Sequence, residues 1–99
     1  MHEQVEIVRQ HQEHGGRYLA SIAGEPAAGY LEWEDGGAHV RVATHTVVRG
    51  TLRRRGIAAA LVEHLIADAR AEGFRIVPQC SYVAASFARH PEWADLRAG

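Results

Sequence analysis

The sequence predicts an α+β (α/β) domain: a mixed, mostly antiparallel sheet of five strands with one long helix and one C-terminal helix. Three observations lead there. Short apolar-rich stretches separated by turn residues fill the first half of the chain; after Gly50 the apolar spacing changes from two to three or four; and past Gly73 a short strand pattern precedes a second helical one. Ninety-nine residues are too few to divide into two self-sufficient cores, so 1–99 is read as a single domain.

The first strand is placed at Val5 to Val8, and the polar stretch Gln10 to Gly16 ends in a Gly-Gly turn signal. Arg17 to Ala23 and Ala28 to Trp33 form an antiparallel pair around Gly24-Glu25-Pro26. Asp35-Gly36-Gly37 supplies the next hairpin turn, where glycine tolerates a positive φ. In the fourth strand, Ala38 to Val48, alternation puts Val40, Val42, Thr44, Thr46 and Val48 on one face. His39, Arg41, Ala43, His45 and Val47 take the other. Leu52, Ile57, Leu61, Leu65 and Ala69 then recur at helical spacing, with Gly73 as the C-terminal stop. Phe74 to Pro78 is a fifth strand, Ser81 caps a second helix through Val83, Ala84 and Phe87, and Pro91 ends it. The crossover from the fourth strand through the long helix makes the fifth strand the parallel one.

Composition narrows the partners. With 46% apolar and 23% charged residues the chain reads as an ordinary globular domain. It contains no apolar run near the roughly 20 residues that cross a bilayer and no signal-like segment, so the expected location is cytoplasmic and no membrane partner is implied. A lone cysteine, Cys80, agrees with a reducing compartment. All 11 basic residues are arginine, yet the net charge is −1, so the basic signal is local and centred on Arg53, Arg54 and Arg55. A compact polyanion such as a pyrophosphate suits it better than a nucleic acid, which wants charge spread along a face and aromatic side chains for stacking.

That cluster belongs to Arg53-Arg54-Arg55-Gly56-Ile57-Ala58, between a long strand and a long alanine-rich helix. Successive main-chain N–H groups and the positive helix end converge on phosphate oxygens at such a junction, and arginine adds charge-assisted hydrogen bonds. Gly56 and Ala58 let a ligand approach the main chain. The absence of Gly-Lys-Ser/Thr excludes a P-loop, and the absence of G-x-G-x-x-G excludes a dinucleotide fold.

Thr46-Val47-Val48, a four-residue connection, Arg53-x-x-Gly56-x-Ala58 and Ala59-Ala60-Leu61-Val62 together resemble motif A of the GNAT N-acetyltransferases, whose pattern is Q/R-x-x-G-x-G/A at the same junction. The resemblance runs from about Ala20 to Pro91 and is specific from Val48 to Val62. It implies a minimal GNAT fold that binds acetyl-coenzyme A as co-substrate. Thr46, Val47 and Val48 would offer main-chain hydrogen bonds to the pantetheine arm and thioester. Arg53, Arg54, Arg55, Gly56, Ile57 and Ala58 would hold the pyrophosphate. Two departures stand out. Arg9 to Gly16 is too short for the helix pair that normally builds the acceptor pocket, so the acceptor site is reduced or completed by a partner, a homodimer being one way. The tyrosine that protonates the leaving thiolate is replaced, in the register of Ser81, Ala84 and Phe87, by Ala88. The truncated front, the His-Thr pair and the Cys-Ser-Tyr and Arg-His-Pro-Glu segments look most like a small subgroup of GNAT-like proteins.

Cys80, at the end of the fifth strand and ahead of a helix N-terminus, is the first candidate for catalysis. The helix dipole favours its thiolate, and the position borders the thioester in a GNAT fold. The bland alternative is a small buried residue at a strand end. His45 is a candidate general base on the neighbouring strand, against a structural histidine. Tyr82 ranks below Cys80 as a replacement acid. His2, His11 and His14 lie in polar surroundings without a convincing third ligand, so no metal site is expected. His90-Pro91-Glu92-Trp93 ends the last helix, with Trp93 packing onto the sheet. Two readings of function result: an acyltransferase carrying acetyl to a small-molecule or protein acceptor, or a module that binds or senses acetyl-coenzyme A without transfer.

Overall fold

The computed structural model describes residues 5–22, 25–50 and 56–98. Five strands, β1 (Val5–Gln12), β2 (Gly15–Ile22), β3 (Glu25–Asp35), β4 (Val40–Val48) and β5 (Arg75–Pro78), form one sheet in sequence order. The first four pair antiparallel and β5 joins β4 in parallel. Helix α1 (Ile57–Glu72) connects β4 to β5, and α2 (Ser81–Arg89) and a 3-10 helix (Pro91–Leu96) follow. No described helix is long and apolar enough to cross a membrane. The minimal GNAT arrangement expected from the sequence is present, with the sheet mostly antiparallel.

The β1–β2 hairpin differs from the sequence reading. β1 runs past Val8 to Gln12, the turn is Glu13-His14, and Gly15 and Gly16 are strand residues. The glycines make room for a neighbour instead of turning the chain: a Cβ on Gly15 would lie 2.2 Å from the Trp33 carbonyl oxygen, and one on Gly16 2.4 Å from Trp33 Cζ2. The outer end of β1 is exposed, so its polar sequence hid a strand held chiefly by its ladder hydrogen bonds, with Arg9 and His11 adding side-chain contacts. The hairpin after β3 follows the sequence reading, with Gly37 at φ 111° and Gly36 N–H bonded to the Val40 carbonyl at 2.9 Å.

Alternation along β4 is interrupted by a bulge. Glu32 faces His45 while the next residue, Trp33, faces Ala43, leaving Thr44 unpaired between them. One extra residue moves everything beyond it to the opposite face from that expected. Ala43 points into the core while Thr46 and Val48 share its face; His45 and Val47 are turned out, both exposed. Thr44 Oγ1 donates to the Glu32 carbonyl at 3.2 Å and fastens the bulge.

Helix α1 buries Ile57, Leu61, Val62, Leu65, Ile66 and Ala69 against Tyr18, Ala20, Ile22, Leu31, Trp33 and Ala43 of the sheet. Each fully buried aliphatic side chain is worth about 1.5–3 kcal/mol, so this face dominates the core. The helix ends as the sequence indicates, at Gly73 (φ 77°), whose N–H caps the Ala69 carbonyl at 2.9 Å. Helix α2 adds Val83 and Phe87 to the same core. Its cap is Cys80, one residue earlier than expected, because the Cys80 carbonyl accepts the first helical bond from Ala84 N–H at 2.9 Å. Trp93 packs against the core, with its ring stacked on His90 at 3.9 Å and edge-on to Phe87 at 6.0 Å.

A polar network fixes the C-terminal half of α1 to the sheet. Tyr18 Oη donates to Asp68 at 2.8 Å, Arg9 bridges Asp68 and Glu72, and Arg41 reaches Glu72 at 3.4 Å. The Arg41 guanidinium also lies 4.0 Å from the Phe74 ring and 4.7 Å from that of Trp33. Burial first, and then the hydrogen bond to Asp68, push the Tyr18 phenol well above its usual range.

Candidate active site

The site begins where two strands separate. β4 and β5 pair from Val40 opposite Arg75 to Ala43 opposite Pro78. Cys80 N–H then donates to the Ala43 carbonyl at 2.8 Å, and the chain leaves the sheet as α2. β4 continues for five more residues, to Val48, with only β3 beside it among the described residues. Arg49 N–H bonds the Ala28 carbonyl at 3.0 Å. Antiparallel alternation therefore turns the main-chain groups of Val47 towards Tyr30, and those of Thr46 and Val48 to the side that β5 has vacated. An extended ligand arm can hydrogen-bond there as a strand would. Gly29 allows β3 and β4 to approach: a Cβ on it would lie 2.9 Å from the Val47 oxygen and 3.2 Å from Val48 Cγ2.

Cys80 faces this opening. Its sulfur is 3.4 Å from Thr46 Oγ1, and it stands at the N-cap of α2 in an extended conformation. Burial pushes the thiol up, but hydrogen bonding from the Thr46 hydroxyl and from the N–H groups of Val83, Tyr82 and Thr46 outweighs it, and the thiol pKa is lowered. The fold thus favours a thiolate at the edge of the strand opening.

At the other end of the vacated edge, α1 starts from Gly56, whose left-handed conformation (φ 79°, ψ 9°) has no described residue within 4 Å of where a Cβ would stand. Ala60 N–H donates to the Gly56 carbonyl at 3.0 Å, so the N–H groups of Ile57, Ala58 and Ala59 precede the first helical donor and have no acceptor within the helix. No acidic residue lies in the first turn to repel an anion. The Ile57 side chain is fully buried, within reach of Gly29, so only its main chain is free to meet a ligand. Arg53, Arg54 and Arg55 lie outside the described residues.

The structure brings Thr46 and Cys80 together and places His45 apart from them. His45 is on the opposite face of β4, where its Nδ1 lies 3.6 Å from Glu32 Oε1. Tyr82 is half-buried against the core, and Ala88 is exposed and offers no ionisable group. Sequence reasoning missed the side-chain contact between Thr46 and Cys80, since an unbroken alternation gives no sign of the bulge that sets the register of Thr46 against Ala43.

No protein of curated function matches the sequence. The family model for GCN5-related N-acetyl-transferases matches residues 17–96, from β2 through the strand opening, α1 and α2 to the end of the 3-10 helix, and the chain belongs to that family.

Proposed function

We propose that the protein is an acetyl-coenzyme A-dependent acyltransferase in which Cys80 meets the thioester. The observation that carries this is the parting of β4 from β5 immediately after Ala43, with the Cys80 sulfur directed at the exposed edge of Thr46. The residues present fit the co-substrate. The edge groups of Thr46 and Val48 suit the amide-bearing pantetheine arm, and the N–H groups opening α1, with Arg53, Arg54 and Arg55 preceding them, suit the pyrophosphate. Acetyl-coenzyme A would supply an activated acetyl thioester.

Cys80 is the nucleophile in this reading. Its thiolate bonds to the acetyl carbon as the bond to the coenzyme sulfur breaks, the coenzyme thiolate takes a proton from solvent, and an acceptor nucleophile, in this family an amine, then displaces the Cys80 thiolate. One thioester replaces another, so the first step is nearly balanced in energy. Main-chain N–H groups at the β4 edge would stabilise the oxyanion. His45 lies on the other face of β4 beside Glu32, away from the Thr46–Cys80 contact, so the acceptor's proton passes to solvent rather than to that ring.

Intact-mass spectrometry after incubation with acetyl-coenzyme A, beside calorimetric titration, tests the proposal. The wild type is expected to gain one acetyl group, and Cys80→Ala to bind the co-substrate without the gain. Binding without an adduct in the wild type would remove the acyl-enzyme and favour direct transfer or a binding module; absence of binding would overturn the whole reading.

A further inference from the structure

We infer that Thr46 is a positioning residue whose side-chain hydroxyl orients the Cys80 sulfur and holds its negative charge; this rests on the acyl-transfer reading above. Three polar side chains near the site show why. Thr44 Oγ1 donates to the Glu32 carbonyl at 3.2 Å and Ser86 Oγ to the Tyr82 carbonyl at 3.0 Å, so both are satisfied by main chain and serve the fold. The Thr46 hydroxyl has no such partner among the described residues; its contact is Cys80 Sγ at 3.4 Å. That contact joins residues 34 positions apart, across the opening where the ladder between their strands has ended.

The bulge makes the contact. With Thr44 unpaired, Thr46 shares the face of Ala43, opposite buried Leu31, and its hydroxyl reaches the sulfur at the N-cap of α2. Threonine is stiff at χ1, so the hydroxyl is held in place at little further entropic cost. In the neutral state the thiol donates to this hydroxyl; in the ionised state the hydroxyl reverses and donates to the thiolate, alongside the N–H groups of Val83, Tyr82 and Thr46. Among the groups that lower the thiol pKa against burial, the Thr46 side chain is the largest. The helix N-terminus alone therefore does not account for the lowered thiol pKa.

The test titrates the thiol in the protein without acetyl-coenzyme A, following the pH dependence of alkylation by iodoacetamide and the thiolate absorbance near 240 nm. Thr46→Val fills the same space without the hydroxyl, and its titration midpoint is expected to rise by about one pH unit, the scale of one hydrogen bond to an ion. Thr46→Ser restores the hydroxyl and is expected to bring the midpoint back. With acetyl-coenzyme A present, Thr46→Val should acetylate slowly at neutral pH and rejoin the wild type above its raised midpoint. An unchanged midpoint in Thr46→Val, or a serine variant that titrates like valine, would overturn the inference. Should the valine variant not fold, Thr46→Ala carries the same expectation. A wild type that shows no acetyl adduct would end the acyl-transfer reading while the thiol titration still decides the role of Thr46.

Discussion

Gly29→Ala tests the packing that holds the site together, because two effects of opposite sign compete there. Alanine restricts the unfolded chain more than glycine does and on that ground alone would stabilise a strand residue by about 0.5–1 kcal/mol. Its Cβ would stand 2.9 Å from the Val47 oxygen, 3.1 Å from Ile57 Cγ2 and 3.2 Å from Val48 Cγ2, between β4 and the first residue of α1. The closest of these atoms is main chain, so relief requires moving a strand, and overpacking of this kind costs about 1–3 kcal/mol. Packing wins, with a net loss of about 1–2 kcal/mol and, at about 4–8 °C per kcal/mol for a domain of this size, a fall in Tm of about 5–15 °C. Gly50→Ala is the control: among the described residues nothing lies within 4 Å and the backbone there is not left-handed, so it should be neutral or slightly stabilising. Differential scanning calorimetry reads both. A Gly29→Ala variant that melts at or above the wild-type temperature would refute the claim that β3, β4 and the start of α1 are in tight register.

Tyr18 gives a pH prediction. Its phenol pKa is raised in the folded state, so its contribution is fully present below the unfolded value near pH 10. As pH rises further the unfolded chain releases a proton that the folded one keeps, and stability should fall by up to about 1.4 kcal/mol per pH unit from this residue; urea melts of Tyr18→Phe should lose that component. At neutral pH the same variant, deprived of the bond to Asp68, should be less stable by about 1 kcal/mol. Gly56→Ala meets no described residue with its Cβ but must hold φ 79°, so it should cost about 1–2 kcal/mol by thermal melting, without the clash of Gly29→Ala. Joint replacement of Arg53, Arg54 and Arg55 by alanine should weaken acetyl-coenzyme A binding at least tenfold in calorimetry and flatten its salt dependence, while leaving iodoacetamide alkylation of Cys80 unchanged.

Most of the fold was readable because its signals are local. The change from alternation to helical spacing at Ile57, Leu61 and Leu65 marks the core face of α1, and Gly73 marks its end. Elements that bury little apolar surface were harder to see. The outer half of β1 carries exposed polar residues, and Gly15 and Gly16 imitate a turn signal while serving Trp33, a partner in another strand. Of the site, the residue types were legible and the geometry was not. Cys80 and Thr46 stand out as a thiol and a hydroxyl in strand contexts, yet only the tertiary pairing of Ala43 with Trp33 and of His45 with Glu32 brings them within 3.4 Å.

The bulge at Thr44 has a use that the hydrophobic pattern does not require. If Thr44 is removed, Ala43 and His45 become neighbours, and their partners, Trp33 and Glu32, are already consecutive in β3. Ala43, Thr46 and Val48 would still face the core side, His45 and Val47 would still face out, and the β3–β4 ladder would become regular. Packing therefore gives no reason for the extra residue, and deletion of Thr44 is expected to leave a cooperative fold within about 1–2 kcal/mol of the wild type, the loss being chiefly the bond to the Glu32 carbonyl. The opening against Cys80 should not survive. A regular β4 twists less, so Thr46 should lose its alignment with the sulfur and with an incoming arm. The deletion variant should melt normally but bind acetyl-coenzyme A weakly and titrate its thiol at a higher pH. If instead it unfolds, the bulge serves the core; if it binds and titrates as the wild type, the site does not depend on the bulge.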